Sequence, residues 1–174
     1  MTLPIAIISM LTALLVAAAF FDLTTYTIPN LLPAGMLLLF GVFLLAMALA
    51  GHALSWNQVS PHLLAGGLGL VFGMAFFATG WVGGGDSKLF AMSCLWLGWG
   101  AMYQYVLIAS LLGGLLTVGL IMLRRIPLPR LLVEQPWIMR LADYQSGVPY
   151  GVALAFAAIS ILPDTEIFRL AATS

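Results

Sequence analysis

Asp22, in the segment FFDLTTYTIPN, and Asp86, in GGGDSKLF, are the only Asp, Glu, Lys or Arg residues among the first 87 of 174. Each stands at the edge of a long apolar run. A carboxylate at membrane depth costs about 2.5–3.5 kcal/mol on insertion scales, so it is read first as functional. Two carboxylates sharing a site suit peptide hydrolysis: the ionised one takes a proton from water while the protonated one polarises the scissile carbonyl. Like charges at short range do not both ionise readily, so such a pair divides one proton. Asp86, at a helix start, is expected to be the base and Asp22 the acid. Blander readings exist for each. Asp22 could be an interfacial polar stop, although a helix C-terminus repels an anion and gives helix stability no reason for it. Asp86 could be a plain N-cap. The run Gly83, Gly84, Gly85 favours function, because glycines let a second backbone come close, as an extended substrate must. Lys88 points to a different helical face from Asp86 and is a candidate for a substrate anion or a lipid phosphate.

Other chemistry fits the chain less well. His52 and His62 fall on the opposite side of the membrane from both aspartates in the topology below, and no metal or other cofactor is expected. Ser87, Ser93 and Ser110 have no histidine on their side to activate them. The one cysteine, Cys94, lies inside an apolar run, so neither a disulfide framework nor a CxxC metal motif can form. Asp164, Glu166 and Arg169 read as a solvated outer tail.

The elements that must position the aspartates are helices in a membrane. Hydrophobic residues make up 63% of the chain and charged ones 7%, with a mean hydropathy of +1.11. Soluble domains carry about 25% charged residues. The long alternation that a membrane barrel requires is missing. The expectation is one all-α domain over 1–174, an integral membrane bundle of six spans at about 3–21, 31–50, 62–82, 86–101, 104–123 and 148–162. The first is read as a retained span, because no Lys or Arg precedes it as in a signal peptide. No charge occurs from Leu89 to Leu123, and those 35 residues are too many for one pass. The break is placed at Trp96-Leu97-Gly98-Trp99-Gly100, with Trp96, Trp99, Tyr103 and Tyr105 as interfacial aromatics. Glycines 66, 67, 69, 73, 80, 113 and 114 are read mainly as helix-packing positions. Parity puts both aspartates on one face, together with Lys88 and the arginines 124, 125, 130 and 140. The positive-inside rule makes that face cytoplasmic and leaves both termini outside. The cytoplasmic segment 124–147, with Trp137, Ile138 and Leu141 among its arginines, reads as a surface stretch or an ordinary polar loop. Zero net charge argues against nucleic acid as a partner.

Asp22-Leu23 followed by Ile28-Pro29-Asn30, then Gly83 to Leu89, resembles the type IV prepilin leader peptidases, which are GxGD-type membrane aspartic proteases. Leu95-Trp96-Leu97-Gly98 and Val148-Pro149-Tyr150-Gly151 resemble later landmarks of the same family. The resemblance implies that Asp22 and Asp86 are the catalytic pair and that Gly83, Gly84, Gly85 and Lys88 border the substrate. It also implies a bacterial inner-membrane location, cleavage at the cytoplasmic face, and a prepilin, membrane lipid and the pilus assembly machinery as partners. Large bifunctional members carry an added cytoplasmic domain after the first span, often with a four-cysteine zinc site, and methylate the new N-terminus. Here only Leu23 to Asn30 joins the first two spans, so methylation and zinc are not expected. The compact form is similar to the peptidases of tight-adherence (Flp-type) pili. The competing readings are a presenilin-like or signal-peptide-peptidase-like intramembrane protease, a proton-coupled transporter using the two aspartates as a relay, and a structural pilus-assembly scaffold.

Overall fold

A computed structural model describes residues 3–126, 129 and 134–173. Every regular element among them is helical: α1 (Leu3–Thr25), α2 (Leu31–Leu49), α3 (Trp56–Ala78), α4 (Gly84–Leu97), α5 (Trp99–Leu123), α6 (Pro136–Ala142), α7 (Tyr150–Ile161) and α8 (Glu166–Thr173). A 3-10 turn, Leu162–Asp164, separates the last two. Four helices, α1, α2, α3 and α5, are long and apolar enough to cross a membrane; the pair α7–α8, bent by 51°, makes a fifth if counted as one broken span.

The expected fourth and sixth spans fall on α4 and α7, which have only 14 and 12 residues, and neither alone is long enough to cross a membrane. At 1.5 Å per residue they reach only about 21 and 18 Å, against a hydrocarbon core of about 30 Å. Both lie inside the bundle. α7 packs against α1, α5 and α4, while α4 packs most extensively against α3 and also meets α2 and α5. The long helices form the outer wall and present Phe20, Leu38, Leu45, Leu111 and Leu115 outward. Those side chains suit lipid; a water-facing surface would be burdened by them.

The α3–α4 contact is built on small residues. Side chains added at Gly66, Gly69 and Gly73 would meet Leu95, Cys94 and Ser87 of α4 at 2.9, 3.1 and 3.0 Å respectively. This face carries the packing role expected of the glycines, whereas Gly67 and Gly114 look into open space. Ser87 Oγ adds a bond to the Gly73 carbonyl at 2.9 Å.

Several boundaries move from their expected places. α3 begins at Trp56, six residues before the expected span, because Ser55 N–H and Oγ both donate to Gln58 Oε1, a capping arrangement that starts the helix ahead of Pro61. α1 runs through Asp22 to Thr25 and stops where Tyr26 takes φ +55°. The break between α4 and α5 falls within the expected segment, at Gly98, whose φ is +76°. A Cβ there would also lie 2.7 Å from the His62 ring, so conformation and space both require glycine. Two of the aromatics near this break are not interfacial. Trp96 is buried and donates Nε1–H to the Met36 carbonyl at 3.0 Å, and Tyr105 is buried against Phe90. Trp99 and Tyr103 are exposed, as expected. In the segment 124–147, α6 leaves Trp137 and Met139 half exposed and buries Leu141, so it docks on the bundle as well as facing outward. Arg130 lies outside the described residues.

Candidate active site

Asp22 sits one turn before the end of α1, and its carboxylate is buried, with 4% of the residue exposed. The side chain leaves α1 and meets the first turn of α7, where the backbone amides of Gly151 and Val152 face the carboxylate. A Cβ at Gly151 would fall 2.8 Å from Asp22 Oδ2 and 2.7 Å from Ile28 Cδ1, so only glycine admits this approach. The unfavourable end of the α1 dipole is therefore offset by the N-terminus of a second helix, whose free amides attract an anion.

Asp86 is not an N-cap. Gly83 occupies that position, Gly84 and Gly85 form the first helical turn, and Asp86 is the third residue of α4. Its carboxylate turns back toward the Gly83 amide, as the acidic partner of a capping box does, while Oδ1 finds no hydrogen-bond donor. Gly85 takes the side chain of Ile28 against it: an added Cβ would lie 3.0 Å from Ile28 Cβ. Ile28 thus spans from the Gly85 backbone to Gly151, between the supports of the two aspartates. The carboxylates themselves lie close enough to repel one another.

Lys88 faces away from Asp86, as its spacing predicted, and donates Nζ–H to Asn30 Oδ1 at 2.7 Å, joining the start of α4 to the start of α2. His62 is buried beneath the opposite end of α4 with Nδ1 at 3.0 Å from the Leu95 carbonyl. It takes no part at the aspartates.

Asp86 also lies on the wall of a cavity of about 590 Å³ between α3, α4, α5 and α7. Phe72, Phe76, Phe90, Val106 and Leu154 give its apolar walls, and Tyr150 also lines it. The arrangement offers two neighbouring carboxylates, each with one buried oxygen that has no hydrogen-bond donor; Asp22 lies against the amides of α7 and Asp86 on the wall of an apolar chamber, and such a pair is equipped for acid–base hydrolysis.

Sequence reasoning singled out both aspartates but gave no structural part to Arg124 beyond marking the membrane face. Its Nε donates to the Leu141 carbonyl and its Nη2 to the Ser146 and Gly147 carbonyls, each at 2.9 Å. One guanidinium thereby ties the end of α5 to the turn that leads into α7. Tyr26 lies beside it; burial pushes this phenol above its ordinary range, and the Arg124 charge pulls the other way. The sequence signal for this support was an arginine at a helix end followed by Gly147 and Pro149, which marks a turn without identifying its partner.

The model of the type IV leader peptidase family matches residues 9–118, which include both aspartates. A prepilin leader peptidase/N-methyltransferase of Aeromonas hydrophila is 35% identical over 127 residues, covering 66% of this chain and 40% of the relative. The protein of the same description from Aeromonas salmonicida strain A449 is 33% identical with the same coverage. The chain therefore spans well under half the length of these curated relatives. No solved structure matches. With the family match extending over more than half of its residues, this chain belongs to the type IV leader peptidase family.

Proposed function

We propose that this protein is a prepilin leader peptidase, an aspartic endopeptidase that removes the leader of a Flp-like prepilin at the cytoplasmic face of a bacterial inner membrane. The observation that carries the reading is the convergence of Asp22 and Asp86, from separate helices, on either side of Ile28, with Asp86 on the wall of an apolar cavity. One carboxylate, ionised, takes a proton from the attacking water, whose oxygen forms a bond to the scissile carbonyl carbon. The other, protonated, donates to the carbonyl oxygen as it gains charge. Collapse of the tetrahedral gem-diol breaks the C–N bond: the proton taken from water passes to the leaving amine, and one hydroxyl of the diol returns its proton to the second carboxylate as the new carboxyl group forms. The pair then holds one proton again.

Gly83, the exposed glycine ahead of Asp86, is the proposed edge along which the substrate backbone lies, with Gly84 and Gly85 letting the helix start close to Ile28. Lys88 uses one donor on a neutral amide and keeps its charge for a substrate or lipid anion. For topology, Lys88 and Arg124 fall at the aspartate end of the bundle, which supports a cytoplasmic site. α4 and α7 are the proposed inner crossings that complete six passes. Enclosed by longer helices, they need not match the lipid thickness. Hydrolysis without N-methylation is the proposed activity, supported by the short connection Tyr26–Asn30 between α1 and α2. Neither the presenilin-like protease nor the transporter reading is favoured by the relatives.

The test is co-expression with a Flp-type prepilin, followed on gels for loss of the leader. Asp22→Asn and Asp86→Asn should each leave the precursor intact. Normal processing by either inserted, folded variant removes the dyad mechanism.

A further inference from the structure

One turn beyond Asp22 stands the only non-glycine residue with a positive φ among the described residues: Tyr26, at +55°. Left-handed backbone at a helix end is ordinarily given to glycine or asparagine, and a bulky side chain there is strained. A helix that had only to stop at Thr25 would have no use for a tyrosine. The strain is held from both sides. Tyr26 N–H donates to the Asp22 carbonyl at 2.9 Å. Across Tyr26, Thr25 Oγ1 bonds the Phe21 carbonyl at 2.7 Å and pairs with Thr27 Oγ1 at 2.9 Å. Strained residues fixed by their surroundings in this way cluster where chemistry is done.

The side chain gives the reason. Tyr26 is half-buried, but its Oη is buried and has no hydrogen-bond partner among the described residues. An interfacial tyrosine would keep that hydroxyl in water. The charges of Asp22, Arg124 and Asp143 all act on the phenol, yet none closes a bond to it. Arg124 directs Nε and Nη2 to the Leu141, Ser146 and Gly147 carbonyls, and Asp143 Oδ1 accepts from the Gln145 amide. Asp22 Oδ2 is likewise buried and unbonded. Two residues on, Ile28 lies against Gly85 and reaches Gly151, so the segment carrying Tyr26 runs past the supports of both carboxylates. A buried donor without an acceptor is costly and calls for a reason. Beside a buried acceptor that is also unbonded, the reason is a ligand that offers both an acceptor and a donor, as the two oxygens of a tetrahedral gem-diol do.

We propose that Tyr26 is a third catalytic group, whose hydroxyl donates to the former carbonyl oxygen of the substrate as the tetrahedral centre forms between Asp22 and Asp86. This rests on the peptidase reading above and adds a fixed donor to its two carboxylates. Tyr26 transfers no proton. Burial holds the phenol above its ordinary range, so it remains a donor wherever the carboxyl pair is active. The Arg124 charge strengthens that donor, and the strained backbone fixes its direction before the substrate arrives.

Tyr26→Phe tests it in the full-length protein, because the ring and the backbone strain stay and only the hydroxyl goes. Leader removal from a Flp-type prepilin is followed in detergent for kcat, KM and pH dependence, with thermal unfolding as the control on folding. Loss of one donor to the transition state should lower kcat by about 10²-fold, with KM changed less than about twofold and the unfolding temperature unmoved. Tyr26→Asn gives a reading that does not depend on the ring: asparagine takes the left-handed backbone with less strain and should show the same loss of kcat. A folded Tyr26→Phe with near-normal kcat overturns the donor. So does a raised KM with kcat kept, which would make Tyr26 a packing residue for bound substrate. A displaced pH profile with an undiminished maximum does the same, since Tyr26 would then only tune Asp22. All three leave the peptidase reading standing, because the wild-type protein still cuts. A prepilin left uncut by the wild-type protein overturns both.

Discussion

The two short inner helices, α4 and α7, each bring their first turn to the site, but by opposite means. α4 carries its own carboxylate: Asp86 is its third residue and turns back on the Gly83 amide. α7 carries none and receives Asp22 from α1 against the amides of Gly151 and Val152. The first arrangement is local and survives as long as α4 is helical. The second is tertiary and depends on α1, α7 and the turn before α7 all being in place. A helix N-terminus serves an anion in either case. The lesson is that the dyad is asymmetric in its support: Asp86 is held by sequence neighbours and lines the cavity, while Asp22 is held by distant ones and is shut in.

The largest expected effect treats the two carboxylates alike. General acid–base groups contribute about 10²–10⁴-fold each, so Asp22→Asn and Asp86→Asn should both reduce cleavage by about 10³-fold or more. Because catalysis needs one carboxyl protonated and one ionised, the wild-type rate against pH should be bell-shaped, with both limbs belonging to the pair. A prepilin-processing assay across pH reads this directly. A rate that only rises, or a single variant with near-normal turnover, would mean that one aspartate works alone.

Glycine substitutions separate the two supports. In Gly151→Ala the new methyl falls 2.8 Å from Asp22 Oδ2 and 2.7 Å from Ile28 Cδ1, closer than atoms pack, so the carboxylate must move. In Gly83→Ala the nearest atom is Asp86 Oδ2 at 3.3 Å, which a small side-chain rotation relieves. Misplacement of about 1 Å in a reacting geometry costs about 10²-fold. We expect kcat to fall by about that much in Gly151→Ala and by less than about fivefold in Gly83→Ala, where little displacement of the carboxylate is forced and the methyl acts on the substrate edge, and so mainly on KM. Equal losses would show that the clasp at α7 has no special part.

This asymmetry also explains what could be read in advance. Asp86 and its glycines are contiguous, so the sequence displayed them together; Asp22 stood out because no other acid competed with it. The partner of Asp22 was hidden, since Gly151 lies 129 positions further on and nothing local to it marks a carboxylate. Gly98 was legible as a reversal because a glycine among tryptophans has few other uses. Trp96 and Tyr105 were misjudged for a related reason: aromatics at a break are interfacial only if their side chains face lipid, whereas Trp96 belongs to the enclosed α4 and Tyr105 lies on the inner face of α5, stacked on Phe90 of α4. Enclosure likewise made α4 and α7 read as full-length spans, because apolar composition is the same for a lipid-facing crossing and a buried short helix. The Ser55–Gln58 cap shifted α3 because a capping pair outweighs the proline that follows it.

Arg124 sharpens the comparison further, because it acts on the α7 side alone. Its three bonds to the Leu141, Ser146 and Gly147 carbonyls need the planar fork of a guanidinium, which an ammonium does not reproduce. Arg124→Lys keeps the charge yet releases the turn before α7. The expected outcome is a fall in kcat of about tenfold with KM changed less than twofold, in line with a modest loss of orientation at Asp22. Arg124→Gln should be worse in both folding yield and rate. If lysine restores full activity, Arg124 matters only as a positive charge at that end of the membrane.

The smallest effects concern the single hydroxyl bonds that fasten each inner helix to its outer neighbour. Ser87 Oγ donates to the Gly73 carbonyl at 2.9 Å in a buried contact between α4 and α3, with the Gly83 carbonyl at the start of its own helix a second acceptor at 3.1 Å. Tyr150 Oη pairs with Thr117 Oγ1 at 3.2 Å in an exposed contact between α7 and α5. Net hydrogen-bond contributions are about 0.5–1.5 kcal/mol, with buried contacts at the upper end because an orphaned partner there cannot turn to water. The Gly73 carbonyl keeps its helical bond, which holds the loss near the middle of that range. Thermal unfolding in detergent should therefore place Ser87→Ala about 1 kcal/mol below wild type and Tyr150→Phe less than about 0.5 kcal/mol below. The reverse order would mean that the α5–α7 seam, not the glycine-lined α3–α4 face, is the more tightly held of the two, and that the clasped aspartate rests on the firmer of the inner helices.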